Sequence, residues 1–429
     1  MATLGLYEVD ITPTKPVQTV GFGREDELSR GILHSLSAQV SIWQFGEDKC
    51  CFVTIDHIGF ESKNAYILRR DIADILSISI DKVMLCFSHT HSAPDDSIEI
   101  EYFNFLCMQV KNGVQKALKK MGPVKLAWGN TYSDIGMNRR GSEDIDRRIG
   151  ILKVVDADSG LLRLLLLRLT AHANVLKEDN YLISPDYFGE VRDLLSEKYG
   201  CTVMLTQGAA GNISPKYFTS SRVWSAENPA PGFYGECASD TALSQMAVEV
   251  YMQVDKVIDN IHPSNVERMD MYCVYQKLDA DVPSYERAIE IMDEAKREAF
   301  IDGTDWMVEV QRLLDNGITK QIENVELQYF AINDGCLCGV PNEIMCEFAI
   351  RANEQLQSDL FYFGGYTNGC TGYFPTEEEY DEGGYEVYWS MLIYYAYHGR
   401  VSPLNRNTAT ALIETAVKNA PAYLRKWSK

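Results

Sequence analysis

Val83-Met84-Leu85-Cys86-Phe87-Ser88-His89-Thr90-His91-Ser92-Ala93-Pro94-Asp95 is the stretch on which the reading of this chain turns. Its first five residues are apolar without alternation, the pattern of a strand covered on both faces, and strands of parallel sheets commonly look like this. The run then ends on Ser88-His89-Thr90-His91. Two imidazoles one residue apart lie on opposite sides of a continuing strand, but a loop leaving the strand can turn both inward, and Pro94 forces such a break. A helix is expected from Asp96 onward, capped by Asp96 or Ser97, with Phe105, Val110, Val114 and Leu118 among its apolar positions. Both histidines then sit at the carboxyl end of a strand, where open α/β sheets bind ligands. Taken alone, His-x-His fits buried, hydrogen-bonded imidazoles as well as a pair with chemistry to do.

The 429-residue chain is 46% hydrophobic and 24% charged, a balance that supports a full α/β core in one large domain or two. A net charge of −21 argues against nucleic acid and anionic membrane surfaces as partners. Residues 1–13, MATLGLYEVDITP, have neither the basic start nor the apolar core of a signal peptide. The longest apolar run, residues 161–169, is broken by Arg163 and Arg168 and is too short to span a bilayer. The expectation is a cytoplasmic chain without a stable membrane anchor. The 11 cysteines are odd in number and scattered, as core thiols of a reducing compartment are. Cys336-Leu337-Cys338 has the wrong spacing for a zinc knuckle.

Outward from the central stretch, strands are expected at residues 4–11, 36–45, 50–55, 124–128, 148–155, 161–169, 201–206, 326–332, 336–340 and 360–364. The fold class they suggest is α/β: a mixed, largely parallel sheet flanked by helices, with the active site at the carboxyl ends of the strands. Polar residues collect at those ends. Asp56 and His57 follow one strand; His57 could join a metal site, although no partner spacing supports it. Thr170-Ala171-His172 follows another. Gln207-Gly208-Ala209-Ala210-Gly211-Asn212-Ile213-Ser214-Pro215 is small enough for main-chain N–H groups to approach a substrate oxygen, and Ser214 fits a turn equally well. Pro341-Asn342-Glu343 opens a helix, where a carboxylate is often a dipole partner. Gly21-Phe22-Gly23-Arg24 reads as a ligand-approach loop or a simple turn. Arg139 and Arg140 lie in a polar loop, as solvated surface or as a clamp on a polarised oxygen. Residues 218–325, including a Pro/Gly-rich loop at 227–235, look like a peripheral elaboration.

In this order the pieces resemble the catalytic domain of the neutral, non-lysosomal ceramidases, zinc amidases that hydrolyse the N-acyl bond of ceramide. The resemblance rests on Val9-Asp10-Ile11-Thr12, Gly21-Phe22-Gly23, the Ser88-His89-Thr90-His91-Ser92-x-Pro94 run, Asn138-Arg139, His172, Gly211-Asn212-Ile213-Ser214-Pro215, Pro341-x-Glu343 and Tyr373-x-x-Thr376-x-Glu378-Glu379-Tyr380.

What the resemblance implies is a single catalytic domain over residues 1–429 holding one Zn²⁺ through His89, His172, Glu343 and Tyr373. His91 falls on a histidine that contacts the substrate's polar centre, Arg139 on a site arginine and Ser214 on the site serine, as nucleophile or as oxyanion stabiliser. The substrate implied is a lipid-like or smaller N-acyl compound, with Gly21, Gly23, Ala93, Asp95 and Asn342 around it. Ala93, Asp95 and Asn342 replace glycines of the family pattern, and the family's C-terminal immunoglobulin-like domain and secretion signal are not seen. The remaining alternatives are a metal-dependent hydrolase of another bond, such as an ester, and a non-catalytic binding protein on the same fold.

Overall fold

The computed structural model describes residues 1–24, 26–217 and 239–424. The 227–235 loop and Cys237 therefore lie outside the described residues. A first sheet contains β1 (Ala2–Asp10), β2 (Ser37–Phe45), β3 (Asp48–Ile55), β4 (Val83–Phe87), β5 (Gly122–Tyr132), β6 (Arg148–Asp156), β7 (Leu162–Leu169) and β8 (Thr202–Gln207) in the order 8-7-6-5-1-2-3-4, with Ser264–Asn265 added beside β5. A second sheet contains β9 (Met269–Asp281), β10 (Lys320–Ile332), β11 (Gly335–Gly339) and β12 (Phe361–Gly364) in that order. The helices are α1 (Ser62–Leu76), α2 (Ile100–Leu118), α3 (Tyr187–Tyr199), α4 (Ser239–Asp255), α5 (Tyr285–Ala299), α6 (Thr304–Asp315), α7 (Cys346–Leu356), α8 (Glu377–Glu382), α9 (Met391–His398) and α10 (Thr408–Asn419).

The expectation of a largely parallel sheet is corrected: the sheets are mixed and mostly antiparallel. In the first, only β3–β4 and β7–β8 are parallel; the pairs β1–β2, β1–β5, β2–β3, β5–β6 and β6–β7 run antiparallel. In the second, only β11–β12 is parallel. The apolar runs misled for a physical reason. Both faces of the first sheet are covered, one by α1–α4 and the other by the second sheet, so its antiparallel strands lose their polar face. In β4, Val83, Leu85 and Phe87 pack toward the helices, while Met84 and Cys86 pack against Phe330, Leu337 and Tyr362 of the second sheet. In β7, Leu165 and Leu167 take the first side and Leu164 and Leu166 the second. The far face of the second sheet is closed by α7 and α10 through Phe348, Ala352, Leu412 and Ala416. The result is four layers: helices, sheet, sheet, helices.

Parts of residues 218–325 are built into these layers rather than standing outside them. Ala242, Leu243, Met246 and Val250 of α4 belong to the core beneath the first sheet, and β9 pairs along its whole length with β10. Only α5 and α6 form a separate small cluster, with Trp306 and Val310 packed near Leu392 of α9. The helix expected from Asp96 starts later, at Ile100, because the Asp95 carboxylate accepts from the Ser97 and Ile98 amides (2.7 and 3.2 Å) and closes a turn of its own first. The final helix stops at Asn419, short of Pro421, which disfavours helical backbone just before it.

Candidate metal centre

β4 and β7 lie on opposite halves of the first sheet, yet the loops leaving them meet. Thr90 bridges Ala173 in parallel register, and the His91 amide donates to the Ala173 carbonyl. Gln207, at the end of β8, donates to the carbonyls of Ser88 (3.1 Å) and Ala171 (2.7 Å), so one side chain ties both loops together. The result is a buried group of His89, His91 and His172 whose ligand atoms lie within 4.8 Å of one another, an arrangement able to hold a metal ion. His89 is placed by backbone in the left-handed region (φ 61°), which a non-glycine residue adopts only where its surroundings insist.

The second sheet brings the carboxylate. The segment after β11 leads through Pro341 and Asn342 to Glu343, whose residue pairs in register with Tyr373 and whose amide donates to the Gly372 carbonyl. Gly211 donates its amide to the Ile344 carbonyl; a Cβ there would fall 2.5 Å from the Glu343 carbonyl oxygen, so only glycine permits this approach. One carboxylate oxygen, Oε2, ends 3.0 Å from His89 Nε2 and 3.2 Å from His172 Nε2.

The hydrogen bonds around these rings decide what they are fit for. Nδ1 of His89 lies 2.6 Å from the Ile58 carbonyl and Nδ1 of His172 lies 2.7 Å from the Ala210 carbonyl. A carbonyl accepts only, so each Nδ1 carries a proton, and in the neutral ring Nε2 then presents a lone pair. Those lone pairs face a carboxylate oxygen, an arrangement that repels itself without a cation between. Burial pushes His172 down to about 4, so that it is neutral at pH 7 as a ligand must be. Separations of 3.0 and 3.2 Å are close to the edge of about 3.3 Å between two ligands of a tetrahedral first-row ion. The residues present therefore fit a metal, with backbone carbonyls in the orienting role that holds metal-binding imidazoles.

The other expected site residues fall around this group. The Tyr373 hydroxyl accepts from Arg139 Nη2 (3.0 Å). Arg139 is itself held by the Gly211 carbonyl (2.7 Å) and by Glu386 (2.7 Å), so its guanidinium is engaged by the protein on several sides. Ser214 is buried in Ile213–Pro215, opposite Met137, and among the described residues no histidine is hydrogen-bonded to it. His91 has neither ring nitrogen hydrogen-bonded and packs against Phe22, centroids 5.0 Å apart. Gly21 (φ 122°) leaves no room for a side chain, since a Cβ would lie 2.6 Å from the His91 ring. Ala93 and Asn342 are fully buried and neither lines the cleft that opens beside the site; Asn342 donates to Thr371 Oγ1 (2.7 Å) and locks one loop to another. His57 stands apart from the cluster, its Nδ1 taking the Gly59 amide (3.1 Å) and its ring wedged against Phe60.

No family model matches the sequence, and no curated protein matches it. Among solved structures, neutral ceramidase from Pseudomonas aeruginosa aligns with a TM-score of 0.70 at 20% identity, over 97% of this chain and 74% of that one. This chain has the neutral ceramidase fold. A ceramidase complexed with C2 aligns with a TM-score of 0.72 at 18% identity, again over 97% of this chain and 74% of the other. On the ceramidase fold, then, this chain carries a buried three-histidine group that can hold a metal ion.

Beside that group opens a cleft of ≈ 270 Å³, lined among others by Gly21, Phe22, Gly23, Asp95, Asp96 and Tyr394. Sequence reasoning missed the residues that link it to the carboxylate. The Tyr394 hydroxyl donates to Glu343 Oε1 (2.7 Å), Cys370 Sγ lies 3.9 Å from the same oxygen, and the Tyr366 ring packs at a tilt beside His89, centroids 4.4 Å apart. Residues 388–397 are expected from sequence as an ordinary closing helix; the available signal was their density of tyrosine, four in ten residues.

Proposed function

We propose that this chain is a zinc-dependent hydrolase that cleaves an N-acyl amide bond of a ceramide-like or smaller substrate. The observation that supports this most is the convergence of two carbonyl-tethered imidazoles on one oxygen of Glu343. Two histidines, one carboxylate and an open position make a donor set suited to catalytic zinc, with Tyr373 as a fourth neighbour. Zinc, when bound, supplies an activated water at neutral pH for attack on the acyl carbonyl.

The chain's own residues do the rest. The carbonyls of Ile58 and Ala210 retain the Nδ1 protons of His89 and His172 and so keep both Nε2 lone pairs turned inward. Tyr394 holds the second oxygen of Glu343 and prevents the carboxylate from rotating away. His91, without a protein partner and next to the cleft wall, is free to hold the substrate carbonyl. Arg139 orients the Tyr373 hydroxyl and adds positive potential where negative charge develops on oxygen. Ser214 serves as an oxyanion neighbour rather than a nucleophile, since among the described residues no hydrogen-bonded base activates it. Asp95 in the cleft and the net charge of −21 favour short or polar N-acyl amides over long-chain ceramide.

The test is a metal analysis of the purified protein joined to a screen of N-acyl, ester and phosphoester substrates. About one zinc per chain with N-acyl cleavage is expected. Zinc-independent turnover, or ester cleavage alone, overturns the reading. A kcat/KM tenfold higher for long-chain ceramide than for short N-acyl amides would reverse the size preference.

A further inference from the structure

The cleft beside the histidines is acidic in an uneven way. Four carboxylates line it: Glu27, Glu61, Asp95 and Asp96. Two already have cations, Glu27 with Arg24 and Glu61 with Lys63. Asp95 and Asp96, which are 3% and 5% exposed, have none among the described residues. Asp95 is held by the Ser97 amide and hydroxyl, the Ile98 amide and the Tyr397 hydroxyl (3.4 Å); Asp96 uses Oδ2 for the Glu61 amide (3.1 Å) and Asn64 Nδ2 (2.8 Å), and among the described residues no donor reaches its Oδ1. A buried carboxylate with no counter-ion beside it, as at Asp96, is costly to keep ionised. Burial, with Asp95 and Glu61 adding to it, pushes Asp96 up to about 7.

These acids are not an isolated surface cluster. Behind Gly21 and Phe22, which line the cleft, stands His91, 9% exposed with both ring nitrogens buried and unpartnered. On another wall Tyr394 and Cys370 line the cleft and touch Glu343. Phe22, Tyr385, Tyr394 and Tyr397 line the cleft with aromatic rings, the Arg24 guanidinium already lying over that of Phe22 (4.9 Å), and Ile98 and Ile393 give the mouth an apolar edge. Carboxylates and aromatic faces together recognise an organic ammonium group, and an apolar mouth accommodates a short acyl chain.

We infer that the cleft selects N-acyl substrates whose amine portion carries a positive charge, with the ammonium seated against Asp95, Asp96 and the Tyr397 hydroxyl. This rests on the hydrolase reading for the word substrate, while the ammonium site itself is a binding property that can be measured without turnover.

The experiment uses three matched amides at pH 8: N-hexanoyl-ethylenediamine (cationic), N-hexanoyl-ethanolamine (neutral) and N-hexanoyl-β-alanine (anionic). It adds the non-cleavable hexanesulfonamides of ethylenediamine and ethanolamine for calorimetric binding to the protein as purified. The expected result is a kcat/KM at least tenfold higher for the cationic amide than for the neutral one, with the anionic amide lowest. The cationic sulfonamide should bind at least tenfold more tightly than the neutral one, less so at 0.5 M salt. Asp96→Asn, and separately Asp95→Asn, should bring the cationic compound down to the level of the neutral one. Equal binding of the two sulfonamides by the wild-type protein overturns the inference with no variant needed. Selective binding of the cationic sulfonamide with no amide cleaved leaves the ammonium site standing and removes the hydrolase reading. Cleavage that favours the neutral amide does the reverse.

Discussion

His89 and His172 are fit to be ligands because their Nδ1 protons are committed to the carbonyls of Ile58 and Ala210. Replacing either by alanine removes a lone pair from the Glu343 oxygen, and zinc retained by dialysed His89→Ala or His172→Ala should fall below about a tenth of a molar equivalent by elemental analysis. Full occupancy in both variants would sink the ligand assignment. His91→Ala should instead keep its zinc and lose turnover by about 100-fold or more, as expected for a group that acts on the substrate; loss of zinc there would make His91 a third imidazole ligand. Asp96 allows a pH prediction. Its carboxyl, raised from 3.8 to about 7, favours the fold while protonated, and that contribution fades as pH rises through 7. Asp96→Asn keeps an oxygen for the Glu61 amide and the Asn64 side chain but cannot ionise. Its stability relative to wild type should therefore improve by about 2–3 kcal/mol between pH 5 and pH 8 in urea unfolding. A constant difference across that range would refute it.

At the scale of elements, the outer edge of β4 is closed by a loop rather than another strand. Phe87 donates to the Tyr366 carbonyl, Leu85 donates to Asn368 Oδ1 (2.9 Å), and Asn368 Nδ2 reaches Gln328 in the second sheet (2.6 Å). Asn368 sits at φ 59°, where its short amide is tolerated better than most side chains. Asn368→Ala should cost about 2–4 kcal/mol, since it leaves buried donors and acceptors unpaired and keeps the backbone strain. The same change should weaken zinc retention, because Tyr366, two residues away, packs on His89. Unchanged unfolding would show that the loop merely covers the edge. The segment around β4 also shows what could be read in advance. Its length and its polar exit were legible, because a five-residue apolar run closed by Ser-His and Pro has few other uses. Its neighbours were not. A strand buried on both faces shows the same composition in a parallel sheet as in a sandwich of antiparallel ones.

For the whole molecule, the candidate metal centre joins the two sheets: imidazoles from loops after β4 and β7, a carboxylate and a phenol from segments after β11 and β12. A metal bound to both halves stabilises the packed state over any state in which the sheets separate. At free zinc a thousandfold above its Kd this is worth about 4 kcal/mol. Chelation should therefore lower the Tm by several degrees, and restoring zinc should return it. An unchanged Tm in protein shown to have lost its metal would mean that the sheets hold together without it.

The sequence by itself determined where strands end and which residues stand there, because apolar runs and the Gly, Pro and polar residues that close them are local signals. It also carried the resemblance to neutral ceramidases, whose fold the structure shares. Strand direction, the second sheet and the inclusion of α4 and β9 in the cores were decided only by tertiary structure. So were the contacts of Tyr394, Cys370 and Tyr366 with the cluster, which lie far from both histidines in the chain. The physical reason is the same in each case. Local composition records that a residue is buried, but not what buries it, and pairing partners are chosen by the packing of one sheet on another.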